Sequence, residues 1–524
     1  MSAPQQNLAA SIGKNTLFGF VSNFAQMGTR LVTVPIVIHY LGLGGYGIWN
    51  VIMMAATYMR FGSVGVKTAF QKYVAEATGN GNYERANRLL STGCALMMVI
   101  SLTILIPAVF FAKKIAALAG VPPEFLASAA GSIALLACIM MMANVGAVYE
   151  AIVMGGHRID LVRKFGTALT VAEAVAIVVV LHRGLGLFAM ACVMGASELL
   201  YITCCFLASH RVLPQVRVAV AFLDRKMLPE LLRFAGSYQM LNLLEVLYAS
   251  IIPFAVLREF GAIAAGVYAV VTRVATSAGV LQDAFLTPIL SGGAMVFASG
   301  SAERMQALIR KAFKVTSGLA LLPMGFIAAF GPTLAYAWTG QSDPSFKVTF
   351  WLVCSALTFR AFSMLSFVLY RTSGRAVLDN VLQVLRSLLL IGIVAFSRTL
   401  GFHGVLVGMV LTEFFGMSFM LVALTRTFDS FKAKSLWPDA LRLIAATALI
   451  VGAGALASHV PLPMEVSERL TATLRLVEIC LGCLLAAWPV LVLTGSVTPS
   501  ESRALFSAFL PKRRAAQPAL AQVK

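Results

Sequence analysis

Residues 15–52 read NTLFGFVSNFAQMGTRLVTVPIVIHYLGLGGYGIWNVI. Two apolar runs meet in this stretch at GLGGYG (42–47). Each run continues far enough to cross a hydrocarbon core of about 30 Å, which takes about 20 helical residues. GLGGYG looks like a glycine-rich phosphate loop. It follows no strand, however, and it joins two membrane helices, so it reads as a tight turn. A pair of spans at 14–40 and 44–66 is the unit from which the rest of the chain is read.

Outward from this pair the same kind of run recurs to the end of the chain. Further spans are expected at 89–112, 129–154, 161–181, 184–208, 228–257, 261–290, 311–338, 347–370, 378–398, 402–425, 440–459 and 471–494, about fourteen in all. The polar stretch 67–88 reads as an amphipathic surface helix, and 495–524 as a basic, frayed tail. Composition agrees: 59% of the 524 residues are hydrophobic, 12% are charged, and the mean hydropathy is +0.85. Soluble domains carry about 25% charged residues. The polar opening MSAPQQNLAASIGKNT shows no cleaved signal peptide, so the first apolar run is expected to remain as a span. The fold class is therefore all-α, a polytopic membrane protein.

The net charge of +19 does not indicate nucleic acid. Most of the basic residues fall in alternate short connections, among them Arg85, Arg88, Arg158, Arg163, Lys164, Arg211, Arg217, Arg225, Lys226, Arg310, Arg426 and Lys434. Such one-sided loading sets orientation. It places both termini in the cytoplasm, and it requires an even number of spans.

The chain also repeats itself. At an ungapped offset of 219, Leu41-Gly42 meets Phe260-Gly261 and Gly47-Ile48-Trp49 meets Gly266-Val267-Tyr268. GNYERANRLL (81–90) meets GSAERMQALI (300–309), and Asn23 meets Asn242. The offset covers six spans, an even number, so the two copies are parallel. The expected organisation is an N-terminal lobe 1–212, a second lobe 213–430, two further spans within 431–494, and the tail 495–524.

Polar groups inside spans are costly, so their positions carry information. In span 1, Asn23, Gln26, Arg30 and Thr33 share one helical face. In span 7, Tyr238, Asn242, Glu245 and Tyr248 do the same, with Glu245 in the place of Gln26. Span 2 carries Arg60; span 8 carries Arg273 with Thr276, Asp283 and Thr287. Arg30, Arg60 and Arg273 are candidate cations of a cavity between the lobes, and Asn23, Gln26 and Asn242 its polar lining. An arginine at a span centre costs about 2.5–3.5 kcal/mol on insertion scales, so three of them imply water, counter-charge or an anionic ligand. Each has a plainer alternative: a hydrogen bond to a neighbouring helix for Arg30, snorkelling for Arg60, and pairing with Glu245 or Asp283 for Arg273. Glu245 and Asp283, with Asp379 and Glu413, are candidates for coupling to H⁺ or Na⁺, or else for fixed ion pairs. Arg360, Arg386, Glu173 and Glu198 take no assignment.

Other chemistry finds no support. The eight cysteines all lie in apolar runs, and the one CxxC, Cys480 and Cys483, sits inside a span without a second pair. The histidines show no ligand spacing, and no GxSxG, HExxH or Walker A sequence occurs. No metal and no cofactor are expected. The loops opposite the basic ones are too short for the catalytic domain of a polymerase, ligase or glycosyltransferase, so the expected role is transport and not catalysis.

Residues 15–52 together with KYVAEATGNGNYERANRLLSTG (72–93) resemble the polysaccharide-export flippases, the Wzx-type and O-antigen branch of the multidrug/oligosaccharidyl-lipid/polysaccharide (MOP) exporter superfamily. The resemblance implies twelve spans in two parallel lobes plus two C-terminal spans. It implies flipping of undecaprenyl-pyrophosphate-linked oligosaccharides across the bacterial inner membrane, with a polysaccharide polymerase or assembly proteins as partners. In the related lipid II flippases functional arginines lie in helices 1, 2 and 8, the spans that hold Arg30, Arg60 and Arg273 here. The chemistry is consistent, because the planar guanidinium fork can bind a pyrophosphate bidentately. A drug or metabolite exporter of the same fold is the alternative; one that moves cations calls for an acidic cavity.

Overall fold

The structure is a computed structural model. It describes residues 3–59, 64–298, 302–372, 377–427, 433–459 and 467–497. Every regular element among them is helical. In chain order these are α1 (Ala3–Met59), α2 (Val64–Asn80), α3 (Tyr83–Phe110), α4 (Ala112–Leu118), α5 (Pro123–Gly155), α6 (Ile159–His182) and α7 (Gly186–Val212). The second part holds α8 (Leu228–Ala298), α9 (Ala302–Thr339), α10 (Ser345–Thr372), α11 (Val377–Ala395), α12 (Ser397–Thr427), α13 (Trp437–Ala457) and α14 (Glu468–Leu493).

Ten helical stretches among the described residues are long and apolar enough to cross a membrane. The expected number was about fourteen, and the difference has a physical reason. As a straight rod α1, of 57 residues, would measure about 85 Å, nearly three times a hydrocarbon core. It breaks at Gly42 (φ 69°, ψ 173°), and α8 breaks at Gly261 (φ 86°, ψ −179°). Each of these helices therefore holds two of the expected spans. The expected spans 10 and 11 fall on α10 and α11, neither of which is among those ten; the described apolar stretch of α11 is the shorter Asn380–Ala395.

The breaks also report the repeat. Gly42 and Gly261 stand at the offset of 219 and share a left-handed φ that only glycine adopts without strain. Gly120 (φ 81°) and Gly340 (φ 73°) form a second pair, and Gly186 (φ 72°) and Gly401 (φ 70°) a third. The third pair is 215 residues apart, so the second copy is four residues shorter between its third and sixth spans. The fold is accordingly two parallel six-span copies followed by α13 and α14.

Two boundaries move from their expected places. The helix expected over 67–88 is α2, which ends at Asn80, and α3 starts at Tyr83 rather than near 89. Asn82 caps it, its side chain accepting from the Arg85 amide at 3.2 Å, and Glu84 stands in the first turn. One face of α2, with Ala69, Phe70, Tyr73, Val74 and Ala77, is buried against Leu89, Leu90, Met97, Val148 and Ile152 of α3 and α5. Lys72, Ala75, Glu76 and Gly79 face away, the helical periodicity of an amphipathic segment. Phe70 and Val74 sit close because Gly93 and Gly155 offer no Cβ: one there would stand 2.4 and 2.5 Å from them.

The chain forms two compact units. One comprises 1–274, 338–353 and 376–415; the other comprises 275–337, 354–375 and 416–524. In the second, Ile309, Ala312, Phe313, Leu424 and Leu436 form a buried cluster. There α13 lies on α9, with Gly325 facing Thr447.

Candidate functional site

In the first unit the two copies of the repeat meet at equivalent residues. A Cβ on Gly47 would stand 2.5 Å from the Ala262 carbonyl oxygen and from the Gly266 amide nitrogen. A Cβ on Gly266 would stand 2.1 Å from the Leu43 carbonyl oxygen. Because Leu43 and Ala262 are themselves equivalent, the contact is reciprocal, backbone on backbone. A Cβ on Gly44 would stand 3.3 Å from the Ala262 methyl group.

Two further contacts join the copies. The backbone of Arg258 approaches Gly120 so closely that a Cβ there would lie 2.4 Å from the Arg258 Cα. The Trp338 indole N–H donates to the Leu31 carbonyl at 2.7 Å. That carbonyl lacks its helical donor because residue 35, four positions on, is Pro35 and has no N–H.

The expected cavity residues fare unevenly. Arg60 lies outside the described residues. Asn23, Gln26 and Arg30 lie on α1, Asn242 and Asp283 on α8, and their side chains are outside what the structure describes. Glu245 and Arg273 are described, and both are exposed. Arg273 stands about 18 Å along the helix beyond the Gly261 turn, near mid-span, at 1.5 Å per residue. Its charge acts on the buried Tyr46 hydroxyl of the other copy.

Glu413 and Arg386 find each other. Arg386 of α11 donates to the Glu413 carboxylate of α12, with the two side chains 2% and 4% exposed. The Tyr248 hydroxyl of α8 donates to the second carboxylate oxygen at 2.7 Å. The guanidinium carbon lies 4.7 Å from the centre of the Tyr248 ring, a cation–π contact. Of the two readings open for Glu413, the geometry is the fixed ion pair, and its partner Arg386 took no assignment from the sequence. Register marks Glu413 alone: it follows Gly401 by the same twelve residues that separate Glu198 from Gly186 and Arg273 from Gly261. The position twelve beyond these turns is thus where a mid-span charge falls.

Sequence reading also missed the connector between the copies. Residues 213–227 run back over the start of α3 and are stitched to it. Asn87 donates to the Gln215 carbonyl at 3.2 Å and accepts from the Arg217 amide at 2.9 Å. Ser91 accepts from the Ala219 amide at 3.1 Å, and Thr92 from the Asp224 amide at 3.0 Å. Arg88 reaches Asp224 at 3.4 Å, and Arg85 grips Glu230 of α8 at 2.9 Å. Burial, and then the Glu230 carboxylate, push the nearby Tyr73 phenol up to about 12, so that it stays protonated. Asp439, 215 residues after Asp224, repeats the device: Arg310 holds it at 2.7 Å, and its side chain is 5% exposed. Among the described residues no three His, Cys, Asp or Glu side chains gather as a metal site.

This geometry can be set beside known proteins. A MatE family model matches residues 20–162. Among solved structures, an inward-facing multidrug resistance MATE family transporter of the MOP superfamily aligns with a TM-score of 0.65 at 17% identity, over 77% of this chain and 95% of its own. The lipid II flippase MurJ, in an inward closed conformation, aligns with a TM-score of 0.65 at 14% identity, over 91% of this chain and 99% of its own.

The fold is that of the MOP-superfamily transporters.

A third MOP transporter, from Pyrococcus furiosus and described as having a binding pocket of reversed polarity, aligns with a TM-score of 0.54 at 16% identity, over 80% of this chain and 94% of its own. No curated protein matches the sequence. In this MOP fold the paired glycine turns mark the two copies. The reciprocal Gly47–Gly266 contact is a closure between copies at one end.

Proposed function

We propose that this chain flips undecaprenyl-pyrophosphate-linked oligosaccharide repeat units across the bacterial inner membrane for polysaccharide biosynthesis. The observation that carries this reading is extent. The multidrug and reversed-polarity transporters align with 77% and 80% of the chain, whereas the lipid II flippase aligns with 91%. The lipid II flippase thus matches more of this chain than the multidrug transporter does, at an equal TM-score.

In this reading Arg30, Arg60 and Arg273 face a water-filled space between the lobes and take the pyrophosphate, each guanidinium offering two parallel N–H donors. Asn23, Gln26 and Asn242 contact the sugars, and the lipid tail stays in the bilayer. Both termini are cytoplasmic, which puts the Gly47–Gly266 closure on the periplasmic side. Breaking that contact while closing the opposite end moves the site to the other leaflet by rocking of the copies. Glu245 and Asp283 are the acidic groups through which H⁺ or Na⁺ would couple to the step.

The deciding experiment is reconstitution of the purified chain into vesicles bearing a lipid-linked oligosaccharide in one leaflet. Transbilayer movement that is lost in Arg273→Ala supports the reading; equal movement in wild type and variant sinks the cationic cavity. A drug exporter is the second reading, favoured by the MatE match and the equal TM-score of the multidrug transporter. Efflux of cationic dyes by the same vesicles, without movement of the lipid-linked saccharide, would replace the first reading by the second.

A further inference from the structure

A cavity of about 650 Å³ opens where the α5–α6 turn meets the end of α7. Pockets for small ligands run from about 300 to 1,000 Å³. Arg158 and Arg211 stand at its mouth, and Leu161, Phe165, Cys204 and Leu207 form its wall. The three helices around it, Pro123–Gly155, Ile159–His182 and Gly186–Val212, are all long and apolar enough to span a membrane. Both arginines lie at helix ends, whereas Cys204 lies about 10 Å from Arg211 along α7 at 1.5 Å per residue. The cavity thus runs from headgroup depth into acyl depth. Its wall remains apolar and open, with Leu207 57% exposed.

Charge is unbalanced at the mouth. Asp160 is the near carboxylate: Arg158 contacts it at 2.9 Å and Lys164 lies 3.9 Å from it. One carboxylate thus faces two cations. Arg211 is exposed and forms no ion pair among the described residues. Gly156 makes the arrangement possible, because a Cβ there would stand 2.6 Å from Val212 and hold the turn away from α7.

We infer that this cavity binds one anionic phospholipid of the leaflet at that face, its phosphate between Arg158 and Arg211 and an acyl chain along Leu161, Phe165 and Leu207. Basic pockets between spans suit such headgroups. The apolar wall selects a lipid over a free phosphate. The site is lined by residues of one copy alone and is independent of the transport reading above.

The test uses the full chain, purified in detergent and delipidated, with bound lipids counted by native mass spectrometry during titration with phosphatidylglycerol. The expected result is one tightly held phosphatidylglycerol, weakened about fivefold by Arg158→Gln or by Arg211→Gln, at about 1 kcal/mol per basic residue near the membrane surface. Leu207→Trp, which fills the wall without changing charge, should also weaken it. Lys434→Gln should not. Size-exclusion profiles identify any variant that fails to fold, and either arginine variant alone keeps the test open if the other does. Equal binding of phosphatidylethanolamine, or unchanged affinity in both arginine variants, overturns the proposal. So does displacement of phosphatidylglycerol by glycerol 3-phosphate with no effect of Leu207→Trp, which would mean an anion site without a lipid.

Discussion

Gly47 and Gly266 are equivalent residues of a duplicated chain, and each lies against the backbone that carries the other. A backbone cannot yield as a side-chain tip can, so a methyl group at either place pushes the copies apart. Gly47→Ala and Gly266→Ala should each disfavour this closure by about 1–3 kcal/mol, the range for overpacking. In a cysteine-free background, Leu43→Cys should then react faster with a membrane-impermeant maleimide. Unchanged labelling would mean that the contact does not hold this end shut.

Gly44 and Ala262 permit the opposite manipulation. Their Cβ positions are 3.3 Å apart, near the 3.5–4.5 Å of disulfides. A Gly44→Cys, Ala262→Cys pair should oxidise readily, stop movement of substrate, and recover on reduction. Full transport with the pair quantitatively cross-linked would exclude any need for the copies to part here.

Arg386 and Glu413 are fully enclosed together. Removing one partner leaves a buried charge, so Arg386→Ala and Glu413→Ala should each cost about 3–5 kcal/mol, while replacing both by Met and Leu should cost less than either. Tyr248→Phe removes a hydrogen bond to a charged group and should cost about 1.5–3 kcal/mol. Thermal unfolding in detergent reads all four. Additive losses in the Arg386/Glu413 cycle would show that the pair is not a unit.

Asp439 anchors α13 to α9 through Arg310. Asp439→Ala should lower stability by about 1.5–3 kcal/mol, as expected for a hydrogen bond to a charged group, and should expose the segment before α13 to protease. Digestion patterns identical to wild type would remove the anchor role.

Arg273 is where the transport reading meets a described side chain. Arg273→Lys keeps the charge but loses the planar fork, so it should retain part of the transport that Arg273→Ala loses. A drop of about tenfold or more for alanine corresponds to one charge-assisted hydrogen bond of about 1.5–3 kcal/mol. Equal rates for lysine, alanine and wild type would remove Arg273 from the site.

The legible parts of this fold were those set by local pattern. Apolar runs placed the spans, and the offset of 219 matched Gly261 with Gly42, the two glycines at which α8 and α1 turn. The pair Arg386–Glu413 was not legible, because two charges 27 positions apart on separate helices announce their meeting only through tertiary packing. Asp224 and Asp439 were hidden by the four-residue shortening, which moves the offset to 215 and breaks an ungapped comparison. Of the expected cavity, Arg273 and Glu245 are in view, and the polar stripe of α1 lies outside the described side chains.

The Asp224 connector and its counterpart at Asp439 turn α3 and α9 into matching sockets, each receiving the helix that follows a six-span copy. The second socket holds the helix pair α13 and α14. Such a joint makes the protein modular at a definable seam. A chimera that exchanges the segment from Asp439 onward with that of a relative should assemble if it keeps an acidic residue for Arg310. Growth of this architecture by adding spans behind the last copy would then have needed one carboxylate together with the apolar seat of α13 on α9.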